Sequence, residues 1–204
     1  MTTTFRGCAL VLAALALALA AQAQQQSSPL SADLAVTYTT ERAKVVSADC
    51  GCFWLQGGSV DAAVPLFRGL GAAATLAGEH SANIVPGLDL SKLAFMVGPR
   101  YTLSTSRWTN RVSKLSHGTS IFGEALFGTV HGFDGSFATQ SGFQNSANSL
   151  SMQFGGGVNV GLARGLGVRA IELDYVRTRF RNLVDDSQND LRLAFGVTYH
   201  VGGR

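Results

Sequence analysis

Four histidines and three cysteines hold most of the nucleophile, base and metal-ligand chemistry open to this 204-residue chain. His117 stands near Ser120 and His131 near Asp134, the two places where a base could activate a hydroxyl or be oriented by a carboxylate. Four histidines produce such neighbours by chance. Both pairs also fall at or beside connections, so no catalytic residue is assigned and the chain is not read as an enzyme. Cys50 and Cys52 form a lone C-x-C. A bridge between residues two apart would be strained, and without a nearby histidine or second cysteine pair the motif lacks a tetrahedral ligand set. No metal or cofactor is expected.

The remaining charged residues are more informative, because they recur within alternating segments. From Asn189 to Val201, one parity holds Leu191, Leu193, Phe195, Val197, Tyr199 and Val201, and the other holds Asp190, Arg192, Ala194, Gly196, Thr198 and His200. Successive strand side chains point to opposite faces, so one face is apolar and aromatic and the other small, polar or charged. A strand of a soluble sandwich would alternate in the same way. Compartment, strand length and repetition of the pattern separate the two cases.

The N-terminus reads as a secretory signal peptide over residues 1–23: Arg6 is the positive region, Ala9 to Ala21 the apolar core, and Ala21-Gln22-Ala23 the cleavage site. The apolar core is too short to span a bilayer as a helix, and no later stretch reaches the roughly 20 apolar residues that would. Cys8 precedes the apolar core, so the acylated-cysteine arrangement of lipoproteins is missing. Losing Arg6 with the signal leaves 15 basic and 13 acidic residues, a net charge of about +2. That is too small a surplus to suggest nucleic acid. The 24 glycines, many inside alternating runs, suit a tightly curved sheet.

After a Gln/Ser-rich leader over residues 24–30, eight strands are expected within one domain over residues 31–201, followed by a short tail over 202–204. They are placed at Ala32 to Lys44, Phe53 to Val64, Leu70 to Glu79, Lys92 to Leu103, Ser120 to His131, Leu150 to Leu162, Gly167 to Phe180 and Asn189 to Val201. Pro65 should end the second, since proline cannot donate to the ladder. Pro99 should introduce a bulge in the fourth. The long connections are expected at Val45 to Cys52, His80 to Ser91, Asp134 to Ser149 and Arg181 to Gln188, on one rim. A basic connection, Ser104 to Ser116, with Arg107, Arg111 and Lys114, falls between the fourth and fifth strands. Strands of roughly 10 to 13 residues exceed the soluble norm and suit a tilted crossing of hydrocarbon. An even count allows closure without an unpaired edge.

With its signal peptide, its paired strands Leu150 to Leu162 and Gly167 to Phe180, and its final strand, the chain resembles small bacterial outer-membrane barrels, the OmpA-like transmembrane domain and OmpX-type proteins. The resemblance covers nearly all of the mature chain. It implies an all-β, eight-stranded antiparallel up-and-down transmembrane barrel in the bacterial outer membrane, in contact with its lipid and lipopolysaccharide and assembled through its C-terminal strand by the barrel assembly machinery. In that family the last strand usually ends in an aromatic residue. Here Gly202-Gly203-Arg204 follows Val201, which makes the assembly signal atypical. Neither histidine pair matches the His-x-Ser spacing of the lipid A deacylases or the acidic pairs of the barrel proteases.

An eight-stranded barrel is just wide enough for side chains to fill. The expected inward polar set is Glu41, Asp61, Glu79, Arg100, Glu124, Glu172, Asp174, Arg192 and His200. Charges there must be paired or hydrated, so Arg100 and Arg192 are expected to bridge Glu124, Glu172 and Asp174. Phe137 and Phe143, in the long third loop, are candidates for contact with an extracellular ligand. The expected role is structural or adhesion-like surface interaction by a monomer. A narrow gated pore for small solutes or ions is the first alternative. The second is a secreted lipocalin-like carrier of an apolar ligand. Outward Phe95, Tyr101, Phe154, Tyr175, Phe195 and Tyr199 would mark the membrane barrel, and inward ones the carrier.

Overall fold

Alternating faces give every strand one side that prefers water and one that prefers oil, and the strands satisfy both by closing into a ring. The computed structural model describes residues 31–44, 52–85, 88–104, 118–139, 142–163, 165–180 and 187–202. The expected signal peptide, leader and most of the tail lie outside the described residues, as do Cys50, His117 and the basic connection carrying Arg107, Arg111 and Lys114.

The barrel strands are β1 (Ala32–Lys44), β2 (Cys52–Phe67), β3 (Leu70–Val85), β4 (Leu88–Ser104), β5 (Thr119–Phe133), β8 (Ala147–Gly161), β9 (Leu166–Thr178) and β10 (Gln188–Val201). Between β5 and β8, β6 (Phe137–Thr139) and β7 (Gly142–Gln144) pair as a separate small hairpin. Each barrel strand lies antiparallel to its neighbour in chain order, and β10 closes on β1 in unbroken register from Ala32↔Val201 to Arg42↔Leu191. The fold is the all-β, eight-stranded antiparallel barrel that the alternation implies.

The six test aromatics face outward: Phe95, Tyr101, Phe154, Tyr175, Phe195 and Tyr199 are between 43 and 55 % exposed. The interior of the same strands holds charged and small polar side chains. That arrangement removes the lipocalin-like carrier, which needs an apolar interior.

Several strand ends depart from expectation. Pro65 does not end β2, which runs on to Phe67, although the register with β3 shifts between Pro65 and Phe67. Most of the connection expected at His80 to Ser91 is strand: β3 extends to Val85 and β4 begins at Leu88, and the expected turn Pro86-Gly87 lies outside the described residues. Pro99 produces no bulge. Its pairing with Ala72 is in register, and on the other side the β4–β5 ladder keeps its register between Val97↔Phe127 and Arg100↔Glu124. The missing N–H therefore costs ladder bonding without displacing the strand.

The one bulge with large consequences is in β9. Its register shifts by one residue against both β8, between Val158 and Asn159, and β10, between Ala194 and Gly196. Both shifts place the extra residue at Ala170–Ile171, and both of those side chains are exposed. Arg169 and Glu172, of opposite parity in sequence, consequently both turn into the lumen, where each is 2 % exposed.

Two glycines are dictated by geometry. Gly69, in the β2–β3 turn, has φ of 88°, a conformation that side chains resist. Gly196 lies against the closing seam, where an added β-carbon would run into the Val36 carbonyl and the Thr37 Cα. Gly196→Val is expected to lower the folded fraction several-fold, read as loss of the heat-modifiable band on cold electrophoresis of the detergent-refolded protein.

Candidate functional site: the charged lumen

The lumen holds most of the chemistry among the described residues. Seven buried carboxylates (Glu41, Asp61, Glu79, Glu124, Glu172, Asp174, Asp190) face four buried cations (Lys92, Arg100, Arg169, Arg192). Burying an unpaired charge is strongly unfavourable, and the side chains are arranged accordingly.

Toward the loop end, Lys92 of β4 forms an ion pair with Glu41 of β1 and lies 3.7 Å from Glu79 of β3 and 3.9 Å from Asp190 of β10. Further along, Arg100 meets Glu124 at 2.5 Å. Gln153 donates to the other Glu124 oxygen at 3.0 Å and accepts from Arg192 at 2.6 Å. Arg192 in turn pairs with Asp174 at 3.0 Å. Arg100, Glu124, Gln153, Arg192 and Asp174 thus make one continuous chain of bonds.

Arg169 crosses the lumen. One of its nitrogens reaches Asp61 of β2 at 2.7 Å and Glu172 on its own strand at 2.8 Å. Asp61 is further held by Thr75 Oγ1, which donates at 2.5 Å, and by Ser59 Oγ at 3.3 Å. The Phe122 ring lies under both Arg100 and Arg169, with guanidinium carbons 4.4 and 4.7 Å from its centroid. Such cation–π contacts gain strength where water is scarce.

The structure therefore places Arg100 beside Glu124 and Arg192 beside Asp174. Glu172 is paired with Arg169 and with neither of those two arginines. Alternation alone sends Arg169 outward with Ile171, and no sequence signal announced the bulge that reverses it. Lys92 and Asp190 were legible: they share the parity of Arg100 and Arg192. His200 is at the mouth, 35 % exposed, and pairs with Asp33 of β1 at 2.7 Å across the closing seam.

Carboxylate oxygens of Glu124, Glu172 and Asp174 lie within 4.8 Å of one another, a spacing a metal ion could use. Each already has an arginine partner, Arg100, Arg169 and Arg192 respectively, so guanidinium groups stand where a cation would bind. The second histidine pair is not assembled: His131 bonds Asn148 at 2.8 Å, and Asp134 accepts from Ser91 at 3.3 Å. The two loop aromatics differ. Phe137 is buried, packed with Val130 and against Phe180 at a 5.1 Å centroid distance, which withdraws it from the exposed set. Phe143 is 70 % exposed on the β6–β7 hairpin.

A closed eight-stranded antiparallel barrel with apolar residues outside and paired charges inside has the architecture of small bacterial outer-membrane proteins. Two solved structures carry the likeness. Neisserial surface protein A matches with a TM-score of 0.56 at 11 % identity, over 82 % of this chain and 96 % of that one. The attachment invasion locus protein Ail of Yersinia pestis, in complex with the heparin analogue sucrose octasulfate, matches with a TM-score of 0.50 at 14 % identity, over 85 % and 99 %. At these identities the likeness is one of fold. No protein-family model and no curated protein sequence matches the chain.

Removing one partner of a buried pair leaves the others uncompensated. Arg169→Met is expected to reduce unfolding free energy by about 3 kcal/mol, measured by urea titration in lipid vesicles. Adding Asp61→Asn and Glu172→Gln should recover most of that loss, because the charges that needed Arg169 are then absent.

Proposed function

We propose that the chain is an outer-membrane barrel with a structural and surface-interaction role, its lumen closed by the ion-pair network and its loops turned to the outside. The sorting of side chains carries this reading: Tyr, Phe, Leu and Val on the outer wall, carboxylates and their arginines within. Lipid solvates the first set, while partner charges replace water around the second. The charges bind one another across the bore, which supports a plug in preference to a channel, and no catalytic role is assigned to them.

The seat of interaction is the connection between β5 and β8. Phe137 anchors its hairpin to the barrel end, and Phe143, on the neighbouring strand of that hairpin, is displayed. An anchored hairpin loses little conformational freedom on binding, which favours affinity. The final strand offers the assembly machinery its outward row of Leu191, Phe195, Val197, Tyr199 and Val201. The barrel acts as a monomer, since the ring leaves no strand edge to pair with a second copy.

Detergent-extracted protein is expected to show heat-modifiable electrophoretic mobility and, in planar bilayers, no discrete conductance steps. A detergent-independent soluble monomer would overturn the membrane reading, and regular ion-conducting openings would overturn the plug. For the surface role, cells displaying the protein should adhere to matrix-coated surfaces above vector controls. Phe143→Ser should reduce adhesion at least twofold while leaving heat modifiability intact.

A further inference from the structure

The outer wall carries a charge asymmetry that the lumenal network does not use. Among the described residues of β1, β2, β9 and β10, every carboxylate except Asp33 is turned inside: Glu41, Asp61, Glu172, Asp174 and Asp190 are each at most 5 % exposed. Arg42 and Arg177 take the opposite face and are exposed, as is Arg179 just beyond β9. These arginines stand at the loop end, whereas Asp33 and its partner His200 are at the other end of the seam.

Register joins these residues into one surface. Trp54 of β2 pairs with Arg42 of β1, Arg42 with Leu191 of β10, and Leu191 with Tyr175 of β9, so four outward side chains run side by side around the wall. Trp54, Leu191 and Tyr175 are 51, 47 and 43 % exposed. Arg177 stands two residues above Tyr175, and the strands of Arg42 and Arg177 are two spacings, roughly 10 Å, apart. Among the described residues, Arg42 reaches Cys52 Sγ at 3.6 Å and Arg177 reaches Ser187 Oγ at 3.4 Å. Tyr175 donates its hydroxyl to Asn189 at 2.5 Å, which fixes the ring. Directly beneath Arg42 and Trp54 stand Thr40 and the exposed Gln56, paired with each other. Beneath Leu191 and Tyr175 the wall is apolar, with Leu173, Phe195 and Val197 exposed, and Tyr38 continues it below Thr40.

We propose that this row binds the phosphate-bearing headgroup of a membrane amphiphile whose acyl chains lie along the apolar wall below. The inference rests on the membrane reading given above, with the loop end at the bilayer surface. Guanidinium groups bind phosphate through paired donors, and tryptophan and tyrosine are suited to the interface between headgroup and chain. Arginines beside the apolar wall of β9 and β10 complement an anion with a tail better than a free anion, because only the tailed ligand covers both surfaces.

The test uses the detergent-folded protein in a neutral maltoside, in a Trp108→Phe background so that Trp54 is the only tryptophan. Titration with dodecyl phosphate should give a saturable change in Trp54 emission. Arg42→Gln/Arg177→Gln should weaken that binding at least tenfold, and Arg42→Lys/Arg177→Lys, which keeps charge but loses the paired donors, should fall between. Inorganic phosphate should give no saturable change. Equal affinity in the wild type and the glutamine pair, or saturation by inorganic phosphate over the same concentrations, would overturn the site. Heat-modifiable mobility is read on every protein. A wild type that lacks it fails the barrel reading and not this site alone, and a glutamine variant that lacks it passes the decision to the lysine pair.

Discussion

A backbone amide left unpaired in hydrocarbon costs several kcal/mol, and that one constraint organises the whole chain. It demands a ring, and a ring demands that the last strand find the first. β10 meets β1 through eleven successive residue pairs without a slip. Gly196 lets the two backbones approach, and Asp33 with His200 ties the seam at its mouth. Strand length follows from the same constraint, since every rung must be supplied across the full thickness of the apolar layer.

Closing the ring creates a second problem, because eight strands enclose a bore too narrow for a column of bulk water. Charges that alternate inward must then find one another. The network solves this with arginine in three of its four cations, a choice that fits the planar, multi-donor guanidinium, which can hold two acceptors at once. Arg169 does so with Asp61 and Glu172, and Arg192 with Gln153 and Asp174. Phe122 fills the space between two of the cations with a ring that attracts both.

The barrel was legible in the sequence because side-chain period two is a direct consequence of strand geometry, and the outward aromatics follow from it. Arg100, Glu124, Asp174 and Arg192 were found inside by parity alone. Where parity failed, an irregular backbone was responsible. One extra residue in β9 turned Arg169 inward, and no residue type announces such a bulge. Prolines misled in the opposite direction. Pro65 and Pro99 read as interruptions, yet β2 runs on past Pro65 with a shifted register and β4 keeps its register across Pro99. The loop aromatics could not be separated by sequence, since only the partner Phe180, distant in the chain, distinguishes Phe137 from Phe143.

The strands that Arg169 connects, β2 and β9, are not neighbours in the wall, and neither are β4 and β1, which Lys92 joins through Glu41. Rungs between adjacent strands hold a tube together but leave it free to flatten into an oval. Ties across the bore resist that deformation as spokes do in a wheel. The side chains that bridge the bore therefore brace its cross-section, giving the tube a roundness that the ladder bonds of its wall do not supply.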